Sequence, residues 1–74
     1  MHNIITPHAV VALTKDLPEH GLLAGQVGTV VETLGPEIFE VELSDDEGRA
    51  YAFAPVSADR LLLLRWSPAA AAAD

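Results

Sequence analysis

The sequence predicts a small all-β domain, five short strands rolled into a partly open barrel with a short 3₁₀ turn before the last strand. Three observations carry that expectation. Apolar residues recur with a period of two, and no helical stripe runs through the body of the chain. Glycine, proline and Asp/Ser clusters punctuate it at short intervals. Half of the 74 residues are hydrophobic, which supports a core in a single domain; a chain of this size buries roughly 60% of its unfolded surface.

The elements follow in order. His8–Thr14, reading HAVVALT, is short, apolar and partly β-branched, as a buried first strand should be. Lys15–Gly25 is polar and holds Pro18 and two glycines. It reads as an excursion loop with a tight turn near Leu23–Gly25. In the second strand, Gln26–Leu34, Val27, Thr29 and Val31 fall on one face and Gly28, Val30 and Glu32 on the other. Gly28 has no side chain to pack, which signals a strong bend or a close backbone approach.

After Gly35-Pro36, the third strand, Glu37–Leu43, points Phe39, Val41 and Leu43 inward and Glu40 and Glu42 outward. Ser44–Gly48 is a hairpin turn with Gly48 placed to adopt a positive φ. Arg49–Ala54 alternates Tyr51 and Phe53 against alanines. Pro55–Ala58 is read as the 3₁₀ turn and Asp59–Leu64 as the fifth strand. The barrel domain is expected to span residues 1–66. An alanine-rich tail, 67–74, is too short for an independently stable helix and is expected to fray or form one helical turn. This strand order is that of an SH3-like barrel, and closure would hide edge strands that otherwise invite pairing; an open five-stranded sheet is the lesser alternative.

The charge balance bounds the partners. Eleven acids against four bases give a net charge of −7. Phosphate neutralisation needs clustered Lys and Arg, so nucleic acid and anionic membrane surfaces are not expected partners. A protein partner, basic in character, is the expectation. The opening MHNIITPHAVVAL lacks the basic and apolar regions of a signal peptide. No run approaches the ~20 apolar residues of a membrane span. With no cysteine, the expected location is the cytoplasm.

Two resemblances bear on this reading. The strings VVALTKDLPEHGLLAGQVGTVVE, FEVELSDDEGRAYAF and ADRLLLL resemble a family of short bacterial proteins of unknown function over roughly residues 9–64. That resemblance implies an SH3-like barrel and carries no established activity. HGLLAGQVGTVVE is also similar to the turn-and-strand element of the nitrile hydratase β-subunit barrel and its accessory proteins, and to the KOW element of ribosomal and transcription proteins. Fold does not imply function. RNA-binding KOW proteins carry basic residues here, whereas this chain has Asp16, Glu19, Glu32 and one lysine.

Few residues suggest chemistry. His20, beside Glu19, is a candidate general acid or base or a metal ligand, weighed against a solvent-exposed loop histidine. His2, His8 and His20 lack the spacing of a local zinc site, and GLLAGQVG is not a phosphate loop. Asp45-Asp46-Glu47-Gly48 lacks the alternating ligands of a calcium loop. No cofactor is expected.

The expected function is a non-enzymatic accessory or protein-interaction module, of immunity, antitoxin or helper-subunit type. Its candidate contacts are Asp16, Glu19, His20, Glu40, Glu42, Asp45, Asp46 and Trp66. The alternatives are a metal-dependent or acid–base activity centred on His20, and a KOW-like RNA-binding module. Trp66 serves either as an interface anchor or as a plug in the barrel end. Homodimerisation through an edge strand or through Trp66 stays open.

Overall fold

A computed structural model describes residues 5–65. The strands are β1 (Val10–Leu13), β2 (Val27–Gly35), β3 (Ile38–Ser44), β4 (Ala50–Ser57) and β5 (Leu61–Leu63). They form one antiparallel sheet in the order β4-β3-β2-β1-β5. One 3₁₀ turn, Pro18–His20, lies in the excursion loop, and a second, Ala58–Arg60, leads into β5. The sheet curls without closing, with β4 and β5 as its two edges.

Alternation sorts the core. Val11 and Leu13 of β1, Val30 of β2, and Phe39, Val41 and Leu43 of β3 are buried on the concave side, with Ala54 and Val56 of β4 and Leu61 of β5. Glu40 and Glu42 point to the other side, as the alternation of β3 requires. On β4 the small residues face in, whereas Tyr51 and Phe53 stay 48% and 57% exposed.

The middle of the sheet depends on Gly28. It lies opposite Leu43 on the inner face of β2. A Cβ there would stand 2.6 Å from the Glu42 carbonyl oxygen and 2.8 Å from Val41 Cγ1. Only a residue without a side chain lets β2 approach β3 this closely. Two residues further, the register slips between Val30 and Glu32. This bulge leaves Val31 unpaired and exposed, and bulges increase local bend and twist.

Beyond one-residue shifts at strand ends, three features differ from the sequence reading. Pro55 does not begin the turn but lies inside β4, paired with Glu40. On an edge strand the missing N–H of proline can face away from the neighbour, so the ladder continues through it. The 3₁₀ turn therefore falls at Ala58–Arg60, and β5 starts at Leu61. The first strand is shorter at both ends than His8–Thr14, because residues 7 and 8 form a turn with His8 at φ 76°. Finally, the polar excursion loop delivers two core residues. Leu17 and Leu22 bridge each other across the 3₁₀ turn and join the core cluster. The expected tight turn is present, with Gln26 N–H donating to the Leu23 carbonyl at 3.2 Å.

Gly28→Ala tests the close approach. The added methyl meets backbone as well as side chain, so the cost should reach about 1–3 kcal/mol. Thermal unfolding should then shift down by about 5–20 °C in a domain of this size. An unchanged midpoint would show that β2 and β3 have room to separate.

Candidate functional site

The convex side of the sheet, opposite the core, carries a concavity of about 730 Å³. Its floor is Val10 of β1 with Val27 and Thr29 of β2. Val10 and Thr29 are register partners, and both alternate with buried neighbours, which places them on the outer face. Tyr51 of β4 forms one wall. The β3–β4 hairpin, through Ser44, Asp45, Asp46 and Gly48, forms another. Gln26 closes the β2 end, where its Oε1 accepts the Leu23 N–H at 2.7 Å.

The hairpin wall is rigidly built. Asp45 Oδ1 accepts the N–H groups of Glu47 and Arg49, each at 2.9 Å. The Asp45 N–H donates to the Arg49 carbonyl, and Gly48, at φ 81°, donates to the Asp45 carbonyl. Arg49 also pairs with Asp45 at 3.4 Å and Glu47 at 2.9 Å. The Arg49 N–H holds the Asp45 carboxyl below the usual aspartate range; partial desolvation opposes this, while the Glu47 N–H and the Arg49 guanidinium reinforce it. Asp45 is thus occupied in shaping the turn. Asp46, at the exposed tip, has no hydrogen bond or ion pair among the described residues.

The other expected contact residues divide between two places. Glu40 and Glu42 lie on the outer face of β3, where Glu42 pairs with Thr29 on one side and Phe53 on the other. Glu32 stands directly across from Glu40, so two like charges face each other between strands, an arrangement that disfavours the sheet unless water or a cation screens it. Asp16, Glu19 and His20 belong to the excursion loop, away from the concavity's lining. Asp16 Oδ1 accepts the Ala24 N–H at 2.8 Å and pins that loop. Glu19 and His20 are exposed in the first 3₁₀ turn. The imidazole of His20 has no hydrogen-bond partner among the described residues. Nor do three or more His, Asp or Glu side chains gather in metal-binding geometry among those residues. Trp66 lies outside the described residues.

The sequence reading missed the floor of the concavity. Val10, Val27 and Thr29 read as ordinary strand positions; the pairing of β1 with β2 sets them together, and the β2–β3–β4 order brings them to the same lining as Tyr51. The signal available was the alternation Ala50-Tyr51-Ala52-Phe53-Ala54. Where small residues face a core filled from the opposite strand, the aromatic ones face out.

Fold and site together define a small, partly open β-sheet domain whose built surface is an apolar groove with an acidic wall. The chain belongs to the family described as Domain of unknown function (DUF4926), which matches residues 8–63. The match starts just before β1 and ends on the last residue of β5, so the family is coextensive with the sheet. No curated protein and no solved structure matches the chain. No helix among the described residues is long and apolar enough to cross a membrane.

Asp45 yields a test with a definite sign. Its lowered folded-state pKa means that its contribution to stability is full above the unfolded value of about 3.9 and is lost as pH falls through the folded value. The carboxyl carbon of Asp45, followed by NMR, should titrate below the ordinary aspartate range. Asp45→Ala should speed amide exchange at Glu47 and Arg49. Titration at or above the ordinary value would show that the Asp45 carboxylate does not hold the hairpin.

Proposed function

We propose that this domain is a protein-interaction module that docks a basic segment of another protein in the outer-face groove. The observation that carries the reading is the groove's composition. Val10, Val27 and the ring of Tyr51 offer apolar surface, and the unpaired carboxylate of Asp46 stands on the adjoining wall. An arginine or lysine side chain suits such a place. Its alkyl stem packs on the valines, and its cation meets the tyrosine ring and the carboxylate. Glu40 and Glu42 extend the acidic field over the same face and would favour the encounter with a basic partner.

This role needs no chemistry from the chain and fits an accessory or helper protein. His20 offers little support for an acid–base reading, since its imidazole lacks a partner to orient or tune it.

Affinity capture from lysate at graded salt tests the proposal, using the wild-type chain and the variants Asp46→Lys and Tyr51→Ser. Both positions are exposed, so the fold should survive. The wild-type chain should retain basic proteins that salt releases, and each variant should lose them. Retention of nothing at any salt, or the same retention by the variants, would contradict the reading.

A further inference from the structure

We propose that the free edge of β5 receives an extended acidic segment of another protein, added to the five-stranded sheet as a further antiparallel strand. The backbone there is ready for pairing. The β1–β5 register is regular, and β5 holds neither a bulge nor a proline. Its ladder runs past both strand ends: the Thr14 N–H donates to the Arg60 carbonyl and the Leu64 N–H to the Val10 carbonyl, each at 2.9 Å. Val10–Leu64, Ala12–Leu62 and Thr14–Arg60 are therefore the hydrogen-bonded pairs, and Leu61 and Leu63 turn their N–H and carbonyl groups to the open edge. The Leu61 N–H is taken by the Ala58 carbonyl. The Leu63 N–H and the carbonyls of Leu61 and Leu63 have no partner among the described residues.

Charge selects the occupant. Three of the four Lys and Arg residues flank this edge. Lys15 and Arg60 stand at its start, because Thr14 pairs with Arg60, and Arg65 stands at its end. All three are exposed, and none is ion-paired among the described residues. The adjoining acids are already engaged: Asp59 accepts the Ser57 hydroxyl at 2.6 Å, and Asp16 accepts the Ala24 N–H. A second copy suits the edge poorly, since antiparallel pairing along β5 would set Arg60 of each copy beside Arg65 of the other. An acidic segment answers both ends, and the charges that repel a second copy favour it.

The register also sets the pattern of that segment. The residue facing Leu63 exchanges both backbone bonds with it, and the residue two further on donates to the Leu61 carbonyl. Acids facing Arg65 and Arg60 are then five residues apart, as those arginines are. The residues facing Leu64 and Leu62 fall on the outer side, where Leu62 is 50% exposed, so apolar side chains suit them. The motif is acid, apolar, any, apolar, any, acid.

No residue of β5 lines the outer-face groove, so this edge stands or falls independently of what the groove binds. NMR titration of the labelled full-length chain with the capped peptide Glu-Val-Thr-Val-Thr-Glu tests it. Binding should saturate, with the largest amide shifts at Leu61–Arg65 and slowed exchange at Leu63. N-methylation of the third peptide residue, which removes the N–H facing the Leu63 carbonyl, should abolish binding. Combining Arg60→Glu with Arg65→Glu, both at exposed positions, should weaken binding about tenfold or more and admit Lys-Val-Thr-Val-Thr-Lys instead. Failure to saturate, equal binding by that variant or by the methylated peptide, or shifts centred elsewhere would overturn the proposal. A Leu63 amide already protected in the free chain would overturn it equally. Contacts to residues 66–74 would then assign the edge to the chain's own tail, and protection that rises with concentration would assign it to a second copy.

Discussion

The close approach of β2 to β3 at Gly28 is the constraint on which the rest of the sheet depends. With no Cβ in the way, the Glu42 carbonyl and the Val41 side chain occupy the space a larger residue would need. The bulge at Val31 follows within three residues, so β2 changes direction where it is most tightly held. That bend lets one nine-residue strand serve both β1 and β3 while the inner face closes around Val30, Val41 and Leu43. The outward neighbours of Gly28, Val27 and Thr29, become the floor of the groove. Core and candidate binding surface are therefore two sides of the same four residues of backbone.

A small domain must meet its polar and apolar demands with few residues, and the acids here show how. Asp16 and Asp45 lie within a few residues of Glu19 and Asp46, yet each spends its carboxylate on backbone N–H groups. One fixes the excursion loop, which in turn sets Leu17 and Leu22 into the core. The other fixes the hairpin that walls the groove. Their neighbours Glu19 and Asp46 remain free at the surface. A net charge of −7 is thus partly spent on the fold and partly left at the surface.

Much of the fold was legible in the sequence where period and punctuation agreed. The strict alternation Phe39-Glu40-Val41-Glu42-Leu43 placed β3 and its two faces, and Gly48 marked the hairpin by its need for a positive φ. Gly28 signalled a close approach that the structure bears out. Legibility ended where the deciding fact is tertiary. Leu17 and Leu22 sit among Lys, Asp, Glu and His, so composition hid their burial; it arises from the loop folding back onto the core cluster. Pro55 read as a strand breaker because its tolerance depends on lying at an edge, which no local pattern states. The groove escaped for the same reason, since its lining comes from four strands and a hairpin. Asp45 and Asp46 were singled out as acids, but which of them is free depends on hydrogen bonds that the sequence does not display.

The proposed docking surface is the outer-face groove and not the excursion loop with His20. Chemical-shift mapping of the labelled domain against a captured partner tests it most directly. The largest shifts should fall at Val10, Val27, Thr29, Asp46 and Tyr51, with Glu19 and His20 unmoved. Shifts centred on Asp16–Gly21 with a silent groove would contradict it.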